Sequence, residues 1–431
     1  MQSREIKKRI TESLNTVSVI DPHCHLNPIQ LTVGNLADLL FYHHVWIELV
    51  SSGMDKYEVT KAGLPHEMAN PEMEPFERVK RALPHLTHIR NTTIGLFIRW
   101  ILGDLYGIRE YPTSSNLKRV YELIEKRAKE KNWGEKVLND FCHIEHSLTV
   151  EGLNQPFPER LSKASEALTS VNIADGKNSP YKKLLQMEAF LGREIRKADH
   201  YKEFVRKTIQ TLPIEELKYL GAWLVPYLTE ELADEASITH ILKKVKKRLP
   251  LNHSELGSFS YFGIVSALEE LRHGPLRTIQ VIVGAEVLLP HRSITHWSGN
   301  FVGALGRLAG RFEEFHFNVS SASDAYTQDI AILAKHIPNI SVAGYWWHTL
   351  YPFYIKKSLE TRLDVVPVKK VIGYFSDAYH CEWCYPKLKL VKQILGEILY
   401  ERVIKGWYDL DTALDIIRTI FYEAPKGIYH V

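Results

Sequence analysis

Short apolar runs that alternate with amphipathic stretches form the main pattern of the chain, and they predict strands separated by helices. The predicted strands are 17–21, 142–150, 168–173, 219–224, 278–283, 315–319, 340–344 and 370–375. The predicted helices between most of the later strands are 201–211, 232–248, 260–272, 324–336, 352–363 and 387–401. Strands that alternate with helices predict a parallel sheet, and eight such strands predict an α/β fold of the (β/α)8 TIM-barrel type.

The region between the first two predicted strands has a different pattern, with little strand character. Helices are predicted there at 35–52, 74–83, 93–105, 116–131 and 134–140, and glycine and proline residues separate most of them. A further helix, 5–15, is predicted before the first strand. We therefore expect 1–54 to form the first barrel strand and helix, 55–140 a helical insertion after the first strand, and 141–431 the remainder of the barrel.

The composition is that of an ordinary globular protein, with 45% hydrophobic and 24% charged residues in 431. A net charge of +3 is too small to indicate nucleic acid or an anionic membrane as a partner. No apolar run reaches the length of a membrane span, and the charged N-terminus is not a signal peptide. Four cysteines do not form a disulfide framework, so we expect a reducing, cytoplasmic location.

The candidate chemistry lies at the ends of the first and last predicted strands. His23 and His25 follow the first apolar run, and Asp377 follows the last. Side chains two residues apart on a strand point to one face, roughly 7 Å apart. Because strand ends in a barrel meet at one face, the three side chains can share a metal ion. Two nitrogens and one oxygen suit Zn²⁺, and also Mn²⁺ or Fe²⁺, with a position left open for water or substrate.

These segments resemble a known family. The Asp-x-His-x-His-Leu start at residues 21–26 and the Ser-Asp pair at 376–377 are similar to the amidohydrolase superfamily. The segment 37–44, the helical insertion, the Gly-Tyr-Trp-Trp sequence at 344–347 and the Phe-Ser-Asp sequence at 375–377 resemble its uronate (glucuronate) isomerase branch, of which the chain would be a divergent member.

The resemblance implies one divalent metal, zinc foremost, held by His23, His25 and Asp377. It also implies aldose–ketose isomerisation of a hexuronate, of the glucuronate or galacturonate type, through an enediol. Asp377 would then be the base, and His43 matches the histidine of a His-Tyr pair in the family. The implied partner is a small-molecule sugar acid, and a homo-oligomer is compatible with it.

The chain also departs from the family pattern. His44 replaces the tyrosine of that pair, and Tyr379 occupies a position where the family has arginine. The loops after the third and sixth predicted strands also lack expected arginines. Arg292 is the remaining candidate to bind a carboxylate, with His44 or Tyr379 as substitute donors. Trp346 and Trp347 are candidate walls of a substrate pocket, although core packing explains them nearly as well.

The binuclear hydrolases of the superfamily use a lysine on the fourth strand and histidines at the ends of the fifth and sixth. Segments 219–224 and 281–284 contain neither, which favours one metal. His291 or His296 can still reach it from a loop.

Two other functions stay open at this point. One is a mononuclear amidohydrolase or lactonase with a metal-bound hydroxide nucleophile, which the scarcity of arginine favours. The other is a non-catalytic barrel in which the metal is structural. Cys381 and Cys384 form a Cys-x-x-Cys pair without a second pair for zinc, and no role is assigned to them.

Overall fold

The computed structural model describes residues 3–55, 73–173, 179–229, 231–289, 292–295, 298, 300–346 and 348–431. The chain forms two compact units. Unit 1 comprises Met1–Leu161, Leu350–Lys356 and Tyr374–Tyr422, and unit 2 comprises Ser162–Thr349, Lys357–Gly373 and Glu423–Val431. None of the helices among the described residues combines the length and the apolar composition that crossing a bilayer requires.

The strands of the described residues form one parallel sheet and one antiparallel hairpin. They are β1 (Val19–Cys24), β2 (Ile144–Thr149), β3 (Leu161–Ser165), β4 (Leu217–Trp223), β5 (Thr278–Val283), β6 (Ala285–Leu289), β7 (Arg292–Thr295), β8 (His316–Ser321) and β9 (Ile340–Val342). Seven of them form a sheet in the order β1-β2-β3-β4-β5-β8-β9. β6 and β7 form the hairpin. The fold is therefore α/β with a parallel sheet, which the alternating pattern predicts.

Helices alternate with these strands along the chain. They are α1 (Ser3–Thr16), α2 (Leu36–Leu40), α3 (His43–Ser51), α4 (Pro75–Leu86), α5 (Thr93–Trp100), α6 (Leu117–Ala128), α7 (Trp133–Lys136), α8 (Ala167–Ser170), α9 (Pro180–Leu191), α10 (Ala198–Gln210), α11 (Glu235–Lys246), α12 (His253–Leu271), α13 (Asn300–Arg311), α14 (Thr327–His336), α15 (Pro352–Val365), α16 (Cys384–Ile404), α17 (Leu410–Arg418) and α18 (Ala424–Tyr429). The hairpin and helices α9, α13, α17 and α18 lie outside the predicted elements.

In unit 1, β1 is buried along its whole length. It pairs in parallel with β2, and Val19 lies opposite Ile144. Val19 and Ile20 at its start belong to the apolar run by which the sequence pattern identifies it. The first helix, α1, presents Ile6, Ile10 and Leu14 as its buried stripe and packs against α16 and α17.

Unit 1 also contains a fully buried acid, Glu382, in the 3-10 turn Cys381–Trp383 before α16. Its Oε1 accepts hydrogen bonds from the Tyr106 hydroxyl at 3.0 Å and from the Trp133 indole N–H at 3.1 Å. Its Oε2 accepts one from the Val33 amide at 3.2 Å. Burial raises the pKa of Glu382, and these hydrogen bonds oppose that rise.

In unit 2, a buried hydrogen-bond chain connects the last helix to two strands. The Tyr429 hydroxyl, at the end of α18, donates to Asn318 Oδ1 on β8 at 2.7 Å. The same hydroxyl accepts from the Gln280 amide on β5 at 2.9 Å. All three side chains are buried, and Tyr429 is wholly inaccessible to solvent. The chain of bonds satisfies two amide groups that would otherwise be costly to bury.

The third predicted strand is wrong. Residues 168–173 contain most of α8 and a turn, and the third strand is β3, at Leu161–Ser165. β3 lacks the β-branched and aromatic residues that strand propensity favours. Its extended form depends on pairing with β4, where Lys163 lies opposite Leu217. The local sequence of β3 does not indicate this long-range pairing.

The helix predicted at 35–52 is two helices, α2 and α3. The break is at Tyr42, whose φ of −53° and ψ of 136° are extended and not helical. The Tyr42 hydroxyl donates a hydrogen bond to the main-chain oxygen of Asp377 at 2.6 Å. A contact over this sequence distance overrides the helical periodicity of the segment.

The eighth predicted strand, 370–375, is reduced to a single parallel bridge between Val342 and Val371. The Ile372 N–H donates to the Val342 carbonyl at 2.8 Å, and the Gly344 N–H donates to the Ile372 carbonyl at 3.1 Å. The segment therefore lies beside β9 within unit 2 but is too short to count as a strand. The described residues contain a seven-stranded parallel sheet, and the predicted eight-stranded closure is not confirmed.

Replacing Tyr429 with phenylalanine should lower the free energy of unfolding by about 1–3 kcal/mol, because it leaves two buried amide groups without their shared partner. Urea denaturation followed by circular dichroism measures this. Tyr400→Phe is the control, since the Tyr400 hydroxyl pairs with Ser3 in an exposed position and its loss should cost about 0.5 kcal/mol or less. Equal stability of Tyr429→Phe and wild type would contradict the role of the buried chain.

Candidate metal centre

His23, His25 and Asp377 come together in unit 1. The Nε2 atoms of both histidines lie 3.4 Å from Asp377 Oδ1. The side chains of His23, His25 and Asp377 are 1%, 13% and 6% exposed, so bulk water has little access to the site. Across the described parts of the chain, this is the one group of three His, Cys, Asp or Glu residues whose ligand atoms approach closely enough to hold a metal ion.

Main-chain hydrogen bonds place the last of these residues beside the first two. The Asp377 N–H donates to the His23 carbonyl at 2.9 Å, and the His25 N–H donates to the Ala378 carbonyl at 2.9 Å. His23 lies inside β1, near its carboxyl end, and His25 follows one residue after the strand. Strand alternation directs both rings to one side, and the pairing of the two segments brings the carboxylate to them.

Asp377 has an unusual backbone conformation, with φ of +49°. This left-handed region is sparsely populated by residues other than glycine, although aspartate tolerates it better than most. Such a conformation persists where surrounding contacts determine the backbone fully, and it is frequent at functional sites. One such contact is the Ser376 amide, which donates to Asp21 Oδ1 at 2.8 Å.

Glu151 orients one of the two imidazoles. Its Oε1 lies 3.1 Å from His25 Nδ1, the ring nitrogen that faces away from Asp377. A carboxylate at this position would keep the proton on Nδ1 of a metal-bound His25, which leaves Nε2 free to bind the ion. Glu151 follows β2 by two residues, and thus lies beyond a strand's carboxyl end as His25 does.

The three donors fit a small divalent cation. Zinc binds imidazole nitrogen and carboxylate oxygen at about 2.0–2.2 Å, so ligands at tetrahedral corners lie about 3.4 Å apart. The two distances between the histidine nitrogens and Asp377 Oδ1 have this value. The carboxylate that supports His25 matches the outer-shell partner that metal-bound histidines usually have.

The electrostatics keep Asp377 ionised. Burial alone would raise its pKa, but hydrogen bonds from His23 and His25 hold the pKa of Asp377 well below its usual range. Asp21 has no such imidazole pair at its carboxylate, and burial raises the pKa of Asp21 to about 6 against the opposing bonds from Ser376. The two buried acids therefore differ in proton affinity because their donors differ.

Aromatic and histidine side chains surround the three ligands in unit 1. Tyr379 stacks on His25, with ring centroids 4.4 Å apart and planes inclined by 11°. The rings of His43 and Tyr379 are nearly perpendicular, and their centroids are 5.5 Å apart. His43 and His44 begin α3, are both buried, and have ring centroids 4.0 Å apart. These three predicted site residues thus belong to the same cluster as His23, His25 and Asp377.

The remaining predicted site residues belong to unit 2 or lie outside the described residues. Arg292 is the first residue of β7 in unit 2. Trp346 also belongs to unit 2, is 6% exposed, and packs edge-on against Trp223 at 4.7 Å. Trp347 lies outside the described residues, as do the loop histidines His291 and His296.

The cysteines have no role in this site. Cys24 is buried, and its thiol donates to the Leu148 carbonyl at 3.3 Å. Cys381 and Cys384 are buried free thiols, and burial raises the pKa of both well above the ordinary value. A protonated buried thiol is a poor nucleophile and a poor metal ligand.

Sequence reasoning missed Glu151, Tyr42 and Lys387. Glu151 was open to prediction, because it follows a predicted strand and residues at the carboxyl ends of barrel strands form the active site in this architecture. Tyr42 contacts the main chain of Asp377 across 335 residues of sequence, and Lys387 contacts it from the first turns of α16. No local sequence pattern indicates either contact.

Several uronate isomerases are similar to the chain in sequence. The chain is 19% identical to the uronate isomerase of Nostoc punctiforme, over 99% of this chain and 95% of that protein. The uronate isomerase of Thermotoga maritima is 22% identical over 100 residues, 23% of this chain and 22% of that protein. No protein-family profile matches the chain.

Solved structures show the same fold. The crystal structure of the Thermotoga maritima uronate isomerase superposes with a TM-score of 0.79 at 15% identity, covering 99% of this chain and 97% of that one. The glucuronate isomerase of Caulobacter crescentus has a TM-score of 0.80 at 16% identity, covering 99% and 94%. The chain is thus similar to uronate isomerases in sequence along nearly its whole length and in fold.

Proposed function

We propose that the protein interconverts the aldose and ketose forms of a hexuronate of the glucuronate or galacturonate type, with a divalent metal in the site formed by His23, His25 and Asp377. The observation that supports this most is the buried His–His–Asp group in a chain that matches a uronate isomerase over 99% of its length. The hydrolase alternative is not favoured, because these full-length relatives are isomerases.

The metal ligands would be the Nε2 atoms of His23 and His25 and the carboxylate of Asp377. Two nitrogens and one oxygen favour Zn²⁺, with Mn²⁺ or Fe²⁺ as alternatives, and we propose one ion per chain. When bound, such a cation polarises carbonyl and hydroxyl oxygens of the substrate as a Lewis acid.

Asp377 is the proposed base. Its carboxylate removes the proton from C2 of the aldose, which gives an enediol, and the proton then returns to C1. The proton of the C2 hydroxyl moves to the C1 oxygen, so that C2 becomes the ketone and no atom is gained or lost. His43 and His44 are the proposed donors and acceptors for this oxygen-to-oxygen transfer. Their adjacent, buried rings next to Tyr379 support that role.

Substrate binding is proposed for Arg292, Trp346, Trp347 and Tyr379. An arginine guanidinium binds a carboxylate through two parallel hydrogen bonds, which suits the acid group of a hexuronate. Tryptophan rings suit the apolar C–H faces of a sugar. Tyr379 is the proposed hydroxyl donor, and its stacking on His25 supports a position next to the ligands.

The purified protein should contain one divalent ion per chain, and the double variant His23→Ala/His25→Ala should contain almost none, because two of three ligands are removed. Elemental mass spectrometry after dialysis measures the content. The double variant His85→Ala/His88→Ala is a matched control, since these two neighbouring histidines lie elsewhere in unit 1. Unchanged metal in His23→Ala/His25→Ala would contradict the site.

Asp377→Asn should reduce turnover at least about a hundredfold, because the amide cannot accept the C2 proton. Circular dichroism and thermal melting should remain near wild type. Glu48→Gln is the control, since Glu48 is a half-buried carboxyl of the same unit that accepts only from the neutral Thr92 hydroxyl in the described contacts. Activity of Asp377→Asn above about a tenth of wild type would rule out the assigned role.

Hexuronate incubated with the enzyme in D₂O should incorporate deuterium at C2 and yield a ketose, as followed by proton NMR, since the enediol exchanges its proton with solvent. Arg292→Met should raise KM more than it lowers kcat if the arginine binds the substrate carboxylate. Incubation of the enzyme with a panel of uronates, reduced acids and lactones in H₂¹⁸O tests for hydrolysis instead of isomerisation. Hydrolysis of a lactone with ¹⁸O incorporation, and no exchange from any uronate, would overturn the isomerase assignment.

A further inference from the structure

A buried lysine forms hydrogen bonds with the main chain at Ser376 and Asp377. Lys387, in the first turns of α16, is 1% exposed. Its ammonium donates hydrogen bonds to the Ser376 carbonyl, to the Tyr42 hydroxyl at 2.9 Å and to the Asp377 carbonyl at 3.4 Å. An ammonium has three N–H donors, so these three neutral oxygens use its full capacity. A buried charge satisfied in this way needs all three acceptors to stay in place.

Tyr42 forms a second side-chain contact with the main chain of Asp377. Its hydroxyl accepts from Lys387 and donates to the Asp377 carbonyl at 2.6 Å. Its ring is 1% exposed and stacks on Trp383, with centroids 4.5 Å apart and planes inclined by 21°. The extended backbone of Tyr42 between α2 and α3 places the ring there. Neither the ring nor the hydroxyl therefore has freedom to move independently of the segment that contains Asp377.

Both peptide groups that flank the Asp377 Cα are thus held. On the amino side, the Asp377 N–H donates to the His23 carbonyl, and the preceding Ser376 carbonyl accepts from Lys387. On the carboxyl side, the Asp377 carbonyl accepts from Tyr42 and Lys387. Fixing both peptide planes fixes φ, here +49°, and with it the direction of the Cα–Cβ bond.

We propose that Tyr42 and Lys387 are positioning residues of the metal centre, which hold the left-handed backbone of Asp377 so that its carboxylate faces His23 and His25. They act through the main chain of Ser376 and Asp377. The inference rests on the metal site of the proposed function and is independent of the substrate.

Two variants remove the contacts in steps. Tyr42→Phe deletes one hydroxyl and keeps the stacked ring, and Lys387→Met deletes the ammonium and keeps a chain of similar length. Tyr374→Phe is the matched control. The Tyr374 hydroxyl is also buried in unit 1 and also donates to a main-chain carbonyl, but the acceptor is Cys384, at 3.0 Å, and not Ser376 or Asp377. If Lys387→Met does not fold, Tyr42→Phe alone decides.

The first measurement is the affinity and visible absorption of Co²⁺ added to the metal-free protein. Tyr42→Phe should bind Co²⁺ about tenfold more weakly, with an altered absorption spectrum, because outer-shell partners of metal ligands typically contribute this much. Lys387→Met should lose at least as much, and Tyr374→Phe should match wild type. The same affinity and spectrum in Tyr42→Phe and wild type, or an equal loss in Tyr374→Phe, would overturn the proposal.

The second measurement needs no metal. Selective ¹⁵N-histidine labelling reports the ring nitrogens of His23 and His25, assigned with the single alanine variants. In metal-free protein, Tyr42→Phe should shift both signals, because the carboxylate no longer faces the rings in the same way, and Tyr374→Phe should leave them in place. If wild type binds no Co²⁺, the proposed metal function fails, and unshifted ring signals in Tyr42→Phe would separately overturn the positioning role.

Discussion

The pairing of the main chain at Asp377 and Ala378 with that at His23 and His25 is the constraint on which the site depends. Two hydrogen bonds of 2.9 Å join segments from opposite ends of the sequence. Without them, nothing local to either segment would bring the carboxylate within 3.4 Å of two imidazole nitrogens. The dependence is mutual, since a buried carboxylate without its imidazole partners would destabilise the paired segments by several kcal/mol, on the order of 3–5.

This constraint also explains why the two buried acids of the region behave differently. Asp21 supports the main chain by accepting from the Ser376 amide, and burial raises its pKa to about 6. Asp377 faces two imidazoles, and its pKa is held well below the usual range. Environments that separate the proton affinities of neighbouring carboxyls are the usual means by which one scaffold assigns them different tasks. Here one acid maintains the backbone geometry and the other presents charge.

Sequence reasoning predicted that His23, His25 and Asp377 lie together because two simple regularities coincide there. Strand alternation places His23 and His25 on one face, and strand ends of a barrel meet at one edge. It failed at β3 and at the break between α2 and α3, where partners distant in sequence decide the conformation. β3 has weak strand propensity and is extended by its pairing with β4. Tyr42 interrupts a helical pattern because its hydroxyl binds the Asp377 carbonyl. For the same reason Lys387 has no local signal, since only the fold places a helix residue behind the last predicted strand.

The helical segment of unit 1 between β1 and β2 looks from its sequence like a separable addition to a barrel. The buried Glu382 shows that it is integral. Tyr106 and Trp133, which donate hydrogen bonds to its carboxylate, come from that segment, and Glu382 itself follows Asp377 by five residues. Excising the segment, as in a minimised barrel or a chimaera with a shorter loop, would leave the buried acid without these two donors. Any such graft must therefore transplant the segment together with its acceptor, or replace Glu382 by an apolar residue at the same time.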